Sequence, residues 1–199
     1  MENIKKAIKN RRSYYSISDK SPVSNKELKE LIDFALLHVP SPFNSQSARI
    51  VLLLNENHTK LWNIVTEEIA KNTSEESFKK SKLKIDNCFK AGYGTVLFFE
   101  DQNVVKDLQK RFPLYKDNFP IWSEQSSAMH QFVIWTLLEE MGFGASLQHY
   151  NPLIDKEVGK TWDIDPQWKL IAQMPFGIPL EEPNEKDFNS LEHRSIVFE

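Results

Sequence analysis

Trp122-Ser123-Glu124-Gln125-Ser126-Ser127-Ala128-Met129-His130-Gln131-Phe132-Val133-Ile134-Trp135-Thr136-Leu137-Leu138-Glu139-Glu140-Met141 is the stretch whose reading decides the fold. It is the longest helix candidate in the chain. Ala128, Phe132, Val133, Trp135, Thr136, Leu137 and Leu138 leave little polar perimeter, and a helix of that kind is buried on most sides. Gly142 follows as a C-terminal cap. Such a helix needs a sheet or a second helix to cover it, and it can also pack against its own twin in a dimer. Two apolar runs supply the sheet. Arg49-Ile50-Val51-Leu52-Leu53-Leu54 and Gly94-Thr95-Val96-Leu97-Phe98-Phe99 both read as strands buried on two faces. Ala145 to Gln148 is a short strand, and residues 168–176 form a further one.

Helices fill the intervals. Residues 2–10 form a short helix with Ile4, Ala7 and Ile8 on one face. Ser24 is the N-cap of a second helix, with Glu27 three residues on as its capping-box partner. Leu28, Leu31, Ile32, Ala35 and Leu36 make its stripe, and Pro40 and Pro42 end it and open a loop. Residues 57–70, 75–90 and 103–111 read as helices, and Pro113–Pro120 as an exposed excursion. The polar tail from Pro183 ends in Ile196-Val197-Phe198. An apolar terminus needs something to pack on, either as a last strand of its own sheet or on a partner. Helices and strands interleave without a strict βαβ rhythm. The expected fold class is therefore α+β, a sandwich with a central sheet of four or five strands and helices on both faces.

Composition narrows the class without naming a reaction. The 199 residues suit one domain. A formal net charge of −3 gives no basic field to attract nucleic acid. No apolar run reaches the roughly 18 residues of a membrane span. Met1-Glu2-Asn3-Ile4-Lys5-Lys6 lacks the apolar core of a secretory signal. Cys88 is the only cysteine, so no intramolecular disulfide forms. A reducing cytoplasm fits all of this. Phosphate-loop, dinucleotide and nucleophile-elbow motifs are missing, and the five histidines show no metal-ligand spacing.

Four places carry possible chemistry. Arg11-Arg12-Ser13, after the first helix, brings two guanidinium groups and a hydroxyl together. That suits a phosphate, or it is a basic helix end complementing its dipole. In Pro40-Ser41-Pro42-Phe43-Asn44-Ser45-Gln46-Ser47, five of eight side chains form hydrogen bonds, and amides can match a ring edge of mixed donors and acceptors. The plain alternative is a polar turn. In Gly142-Phe143-Gly144-Ala145-Ser146-Leu147-Gln148-His149, the small residues Gly144 and Ala145 let backbone approach a flat ligand, or simply turn a helix into a strand. Arg194 is either a fourth contributor or a solvated tail residue.

Together with Ala91-Gly92-Tyr93-Gly94-Thr95-Val96-Leu97-Phe98-Phe99-Glu100, Trp122-Ser123-Glu124-Gln125-Ser126-Ser127 and Gln148-His149-Tyr150-Asn151-Pro152, these words resemble, in order and spacing, the FMN-dependent nitroreductase family. The resemblance extends over essentially the whole chain. It is strongest to a small subgroup that includes yeast nitroreductase-like proteins of fatty-acid repression and stress response. It implies a single nitroreductase-like domain over 1–199, with a mostly antiparallel sheet flanked by helices, assembled as a homodimer. It implies FMN phosphate and ribityl contacts from Arg11, Arg12 and Ser13, and a phosphate contact from Arg194. Ser41, Asn44 and Gln46 would reach the flavin from the other subunit, and Gln148 and His149 would lie along the isoalloxazine.

The activity implied is NAD(P)H-dependent flavin oxidoreduction. NADH or NADPH gives hydride and leaves, and an electron-poor small molecule, a nitroaromatic or quinone, is then reduced. Two positions depart from the family pattern. Tyr15 stands where many relatives carry a basic residue near the pyrimidine edge of the flavin. Glu192 stands where many carry a lysine. The alternative expectation is a non-catalytic flavin- or lipid-responsive regulatory protein on the same fold.

Overall fold

The computed structural model describes residues 2–199; Met1, with which the N-terminal reading begins, lies outside them. Its elements in chain order are α1 Glu2–Asn10, β1 Ile17–Ser18, α2 Asn25–His38, β2 Ala48–Leu54, α3 Glu56–Asn72 and α4 Glu75–Lys84. They continue with β3 Gly94–Asp101, α5 Gln102–Arg111, α6 Phe119–Glu140, β4 Gly144–Ala145, α7 Asp155–Thr161 and β5 Trp168–Pro179. The five strands form one sheet in the order β1-β5-β3-β2, with β4 also on β5, and every paired strand runs antiparallel.

β3 is the centre, and all eight of its residues are buried. Its side chains alternate between faces, as the pleat requires. Val96 and Phe98 join Ala172, Met174 and Phe176 of β5 under α2 and α6, where Leu28, Leu31, Ile32, Ala35, Ile134 and Leu138 meet them. Leu97 and Phe99 point the other way, with Leu53 and Leu170, onto Leu61, Trp62, Val65 and Ile69 of α3 and Val158 of α7. A bulge between Phe98 and Phe99 shifts the pairing with β5 by one residue. The expected α+β sandwich is present, with helices on both faces.

Local signals explain the element ends. Ser24 Oγ accepts from the Glu27 N–H at 3.3 Å, and a Glu27 carboxylate oxygen accepts from the Ser24 N–H at 2.8 Å, so the capping box is complete. Gly142 follows α6 at φ +88°, a conformation that glycine adopts without steric cost.

Four expectations need adjusting. β2 is not buried on both faces: it is the sheet's outer strand, and of its residues only Ala48 and Leu53 are fully buried. The helix expected over 75–90 is present, but after Lys84 it continues as a π turn over Ile85–Phe89, and Ile85 and Phe89 are buried in the core. Ile196-Val197-Phe198 adds no strand to its own sheet; the tail runs exposed. The excursion before α6 is shorter than expected, because α6 already begins at Phe119 and buries it.

The long helix behaves unexpectedly. α6 buries Ser123, Ser126, Ser127, His130 and Gln131 against the sheet, while Ile121, Met129 and Phe132 face outward. Apolar grooves flank this outer row. One is lined by Phe34, Val39, Ala128, Met129 and Phe132, and the other by Ile4, Ile8, Phe132, Val133 and Leu137.

Candidate functional site

α1 ends at Asn10, and the chain turns at once into Arg11-Arg12-Ser13. Backbone pairing fixes that turn. Ser13 bridges Ala145, and the Tyr14 N–H donates to the Ala145 carbonyl at 3.0 Å. Two separate sequence signals, the Arg-Arg-Ser turn and the 142–149 segment, are thereby placed side by side. Gly144 permits the close approach, but not toward a ligand as expected. A Cβ there would lie 2.6 Å from the Tyr14 ring and 2.9 Å from Pro179. The space is already filled by protein.

The Arg11 guanidinium lies 4.4 Å above the Trp135 ring, and its Nε is buried without a hydrogen-bond partner. Burial lowers its pKa, the Glu139 charge opposes that shift, and Arg12 adds to it. A buried guanidinium N–H without an acceptor is a binding capacity left open, since such groups are ordinarily paired. The Arg12 guanidinium donates to the Asn184 carbonyl. Arg11, Arg12, Ser13, Tyr14 and Tyr15 form one wall of a cavity of about 510 Å³, closed on the other side by Glu181–Asp187. The donor set fits a phosphate. The closing segment carries four carboxylates, Glu181, Glu182, Glu185 and Asp187, against one cation, Lys186, so an anion at the turn is opposed by that segment unless it stands off.

Gln148 follows three residues after Ala145 on the same segment, and neither it nor His149 lines the cavity. The Gln148 N–H donates to the Gln173 carbonyl at 2.7 Å, and its side-chain amide donates to Ser146 Oγ at 3.1 Å. His149 is exposed beside it. Tyr15 is exposed too, and the Lys84 ammonium stands 5.5 Å from its ring centre. A cation therefore accompanies the position where the sequence departs from the family's basic residue.

Ser41, Asn44 and Gln46 lie elsewhere. Their loop makes a short turn over Pro42–Asn44 before β2 and does not line the Arg11–Ser13 cavity. Ser41 Oγ accepts from the Gln46 N–H at 2.9 Å, and Arg49 donates to the Gln46 carbonyl at 2.8 Å. Phe43, Asn44 and Gln46 all have positive φ, at 57°, 51° and 49°. Left-handed backbone at a bulky residue such as Phe43 is strained and persists only where its surroundings hold it. Here the Phe43 ring packs on Phe112, Phe119 and Trp122. Arg194 lies on the exposed tail, where it donates to the Asn189 carbonyl at 3.4 Å, and it does not line the cavity.

In one subunit, then, the expected residues form two patches and an isolated arginine. Sequence reasoning missed Trp135, Asn184 and Lys84, because contacts so distant along the chain leave no local mark.

The nitroreductase family model matches residues 8–178. The chain belongs to the nitroreductase family. It is 32% identical over 188 residues to nitroreductase FRM2 of Saccharomyces cerevisiae, covering 94% of this chain and 93% of that protein. Nitroreductase CinD from Lactococcus lactis, solved with nicotinic acid, superposes with a TM-score of 0.91 at 42% identity, over 98% of this chain and all of that one. The same enzyme with 4-nitrophenol gives 0.88 over the same shares. A nitroreductase-like protein from Desulfovibrio desulfuricans in complex with FMN shares the fold, with a TM-score of 0.70 at 16% identity over 98% and 96% of the two chains. This nitroreductase thus has the family's fold and belongs among oxidoreductases. None of its described helices is long and apolar enough to cross a membrane.

Proposed function

We propose that this nitroreductase binds FMN, takes reducing equivalents from NADH or NADPH, and reduces small electron-poor molecules such as nitroaromatics and quinones. The observation that carries the reading is the Arg11-Arg12-Ser13 turn, with its buried and unpaired Arg11 N–H, held against the 144–148 segment. Arg11, Arg12 and Ser13 hold the phosphate and ribityl end through charge-assisted hydrogen bonds. Backbone at Gln148 and His149 lies along the ring system. Lys84 brings a positive charge beside Tyr15, and a cation there favours negative charge gained on reduction. When bound, FMN supplies the redox chemistry, a two-electron exchange with pyridine nucleotide and then with the acceptor. Reductant and acceptor occupy one place in turn, which makes turnover ping-pong. The ligands named for CinD, nicotinic acid and 4-nitrophenol, are small aromatic rings of the kind such a place accepts.

The working unit is a homodimer. α6 buries Phe119, Ile134 and Leu138 together with several polar residues and leaves Ile121, Met129 and Phe132 exposed in one row, an apolar face of the kind that marks an interface. A second copy covers that face, brings Ser41, Asn44 and Gln46 to the flavin of its neighbour, and gives the exposed Ile196-Val197-Phe198 a surface to pack on. The tail that carries Arg194 moves with it and delivers that guanidinium to the phosphate. The reading covers 1–199 as one domain and places the protein in the cytoplasm, where NADH and NADPH are at hand.

The decisive experiment is the visible spectrum of the purified protein. A yellow protein with flavin absorption that bleaches anaerobically with NADH or NADPH and recovers on adding a nitroaromatic is the expected result. A colourless protein that takes up no added FMN refutes the reading.

A further inference from the structure

Glu100, next to the end of the central strand, is completely buried. Ser47 Oγ, itself buried, donates to one of its carboxyl oxygens at 2.5 Å, a bond that favours the charged form but is outweighed by burial, and the other oxygen is buried with no partner. Ser47 is the last residue of the loop that carries Ser41, Asn44 and Gln46. Its carbonyl accepts from the Asp101 N–H at 2.9 Å, so loop and strand are joined by backbone and side chain at one point.

The charged groups around Glu100 come from four elements. Arg49 of β2 attracts the carboxylate, but its guanidinium is already tied to Asp101 at 2.9 Å and to the Gln46 carbonyl. Asp101 of β3 and Glu124 of α6 repel it. Lys169 of β5, paired with Glu100 across the strands, reaches away to Glu124 at 2.6 Å. The loop itself, 41–47, holds no charge. An ionised Glu100 would therefore leave one oxygen buried without a donor, the costly arrangement for a carboxylate. A neutral carboxyl leaves no such charge.

We propose that Glu100 is a positioning residue. In its neutral form, bonded to Ser47, it holds the 41–47 loop closed on the end of the sheet, and loss of its proton to solvent releases the loop to hydrate the carboxylate. That this loop meets a flavin rests on the reading given above; that Glu100 holds the loop does not. The strained backbone at Phe43, Asn44 and Gln46 supplies a restoring tendency, since those residues relax once the loop is free. Burial raises the carboxyl to about 7, so release falls within the ordinary range of cellular pH.

The test uses the flavin-free full chain and amide hydrogen exchange of the peptide spanning 41–48, corrected for the chemical rate at each pH. A carboxyl that titrates near 7 when closed and at its ordinary value when open should raise loop opening about tenfold between pH 6 and pH 8. Glu100→Gln is isosteric and cannot ionise; it should keep the loop closed at both pH values. Ser47→Ala loses the hydrogen bond and should open the loop about fivefold at pH 6. A wild-type peptide whose opening does not change with pH overturns the proposal, and so does a Glu100→Gln variant that keeps the rise. Flavin uptake by the wild type at pH 6 decides the separate question. A protein that shows the exchange pattern but takes up no FMN keeps the clamp and loses the flavin site.

Discussion

His58 offers the sharpest test of the core. It is 2% exposed on α3 and sits inside a closed hydrogen-bond network. Its Nε2 lies 3.2 Å from the Lys90 carbonyl, an acceptor only, so Nε2 carries the proton. Nδ1 is then the acceptor and takes the Thr95 hydroxyl at 2.9 Å, while Thr95 Oγ1 accepts from the Trp62 indole N–H at 3.0 Å. Each group has one role, and a second proton on the ring has no place in it. Burial lowers the His58 pKa from 6.5 to about 4, with the Lys90 bond opposing the shift.

The folded-state value lies below the unfolded one, so this contribution to stability is complete above pH 6.5 and is lost as pH falls toward 4. Linkage gives a loss of about 2 kcal/mol at pH 5, rising to about 3 kcal/mol below pH 4. Glu100 works in the opposite direction. Its folded value is raised, so its contribution is complete below the ordinary carboxylate range and lost as pH rises through about 7. The two slopes partly cancel in the wild type, and a plain pH–stability curve hides both. The measurement is urea unfolding of wild type and His58→Gln at pH 8 and pH 5. The wild type's advantage over the variant should shrink by about 2 kcal/mol at pH 5. An equal advantage at both pH values would mean that His58 is already charged in the fold, and the tautomer argument would fail.

Other outcomes follow from the site. Arg11→Ala should weaken FMN binding tenfold or more, because a charge-assisted hydrogen bond contributes about 1.5–3 kcal/mol; loss of the stack on Trp135 should cost only about 0.5–1 kcal/mol of fold stability. Fluorescence titration with FMN checks the first and thermal melting the second. Sedimentation at micromolar concentration should show a dimer, and a lone 23.2 kDa species would remove the composite site altogether. Arg11→Ala and Asn44→Ala, each deficient in FMN binding, should regain it when mixed, since a mixed dimer has one site free of both defects. Absence of recovery despite demonstrated subunit exchange would place both motifs in a single pocket.

What the sequence made legible was what the chain determines over short spans. The Ser24–Glu27 box, the stripe of α2, Gly142 and the apolar run of β3 are each set by residues within a turn or two, and each is found where it was expected. β1 and α7 went unread for a related reason. Ile17–Ser18 is a strand only because Ile178 and Pro179 lie beside it, and α7 spans just seven residues, too few to show a stripe.

The departures arise where a residue's surroundings come from far along the chain, or from outside it. Val51 and Leu52 look like core, yet they sit at the sheet's outer strand, because strand order is not written in any one strand. Gly144 looked like room for a ligand, and the room belongs to Tyr14. α6 is the instructive case. Its apolar perimeter was read as burial on most sides. The folded subunit buries Ile134 and Leu138 as expected, but it also buries the serines and leaves Met129 and Phe132 exposed. Both observations agree if the outward face is covered by a second copy. A helix covered by its own sheet and, in the proposed dimer, by a twin needs no amphipathic pattern, and most polar residues on its inner side find local partners, the buried Ser126 hydroxyl being the exception. Gln131 donates to Ser127 at 3.1 Å, and His130 Nδ1 meets the Ser126 carbonyl at 2.9 Å. In the proposed dimer the lost amphipathic pattern marks the interface, and Asn44 and Gln46, which lie apart from Arg11 in a single subunit, would meet it only on association; a monomer in solution would remove that account.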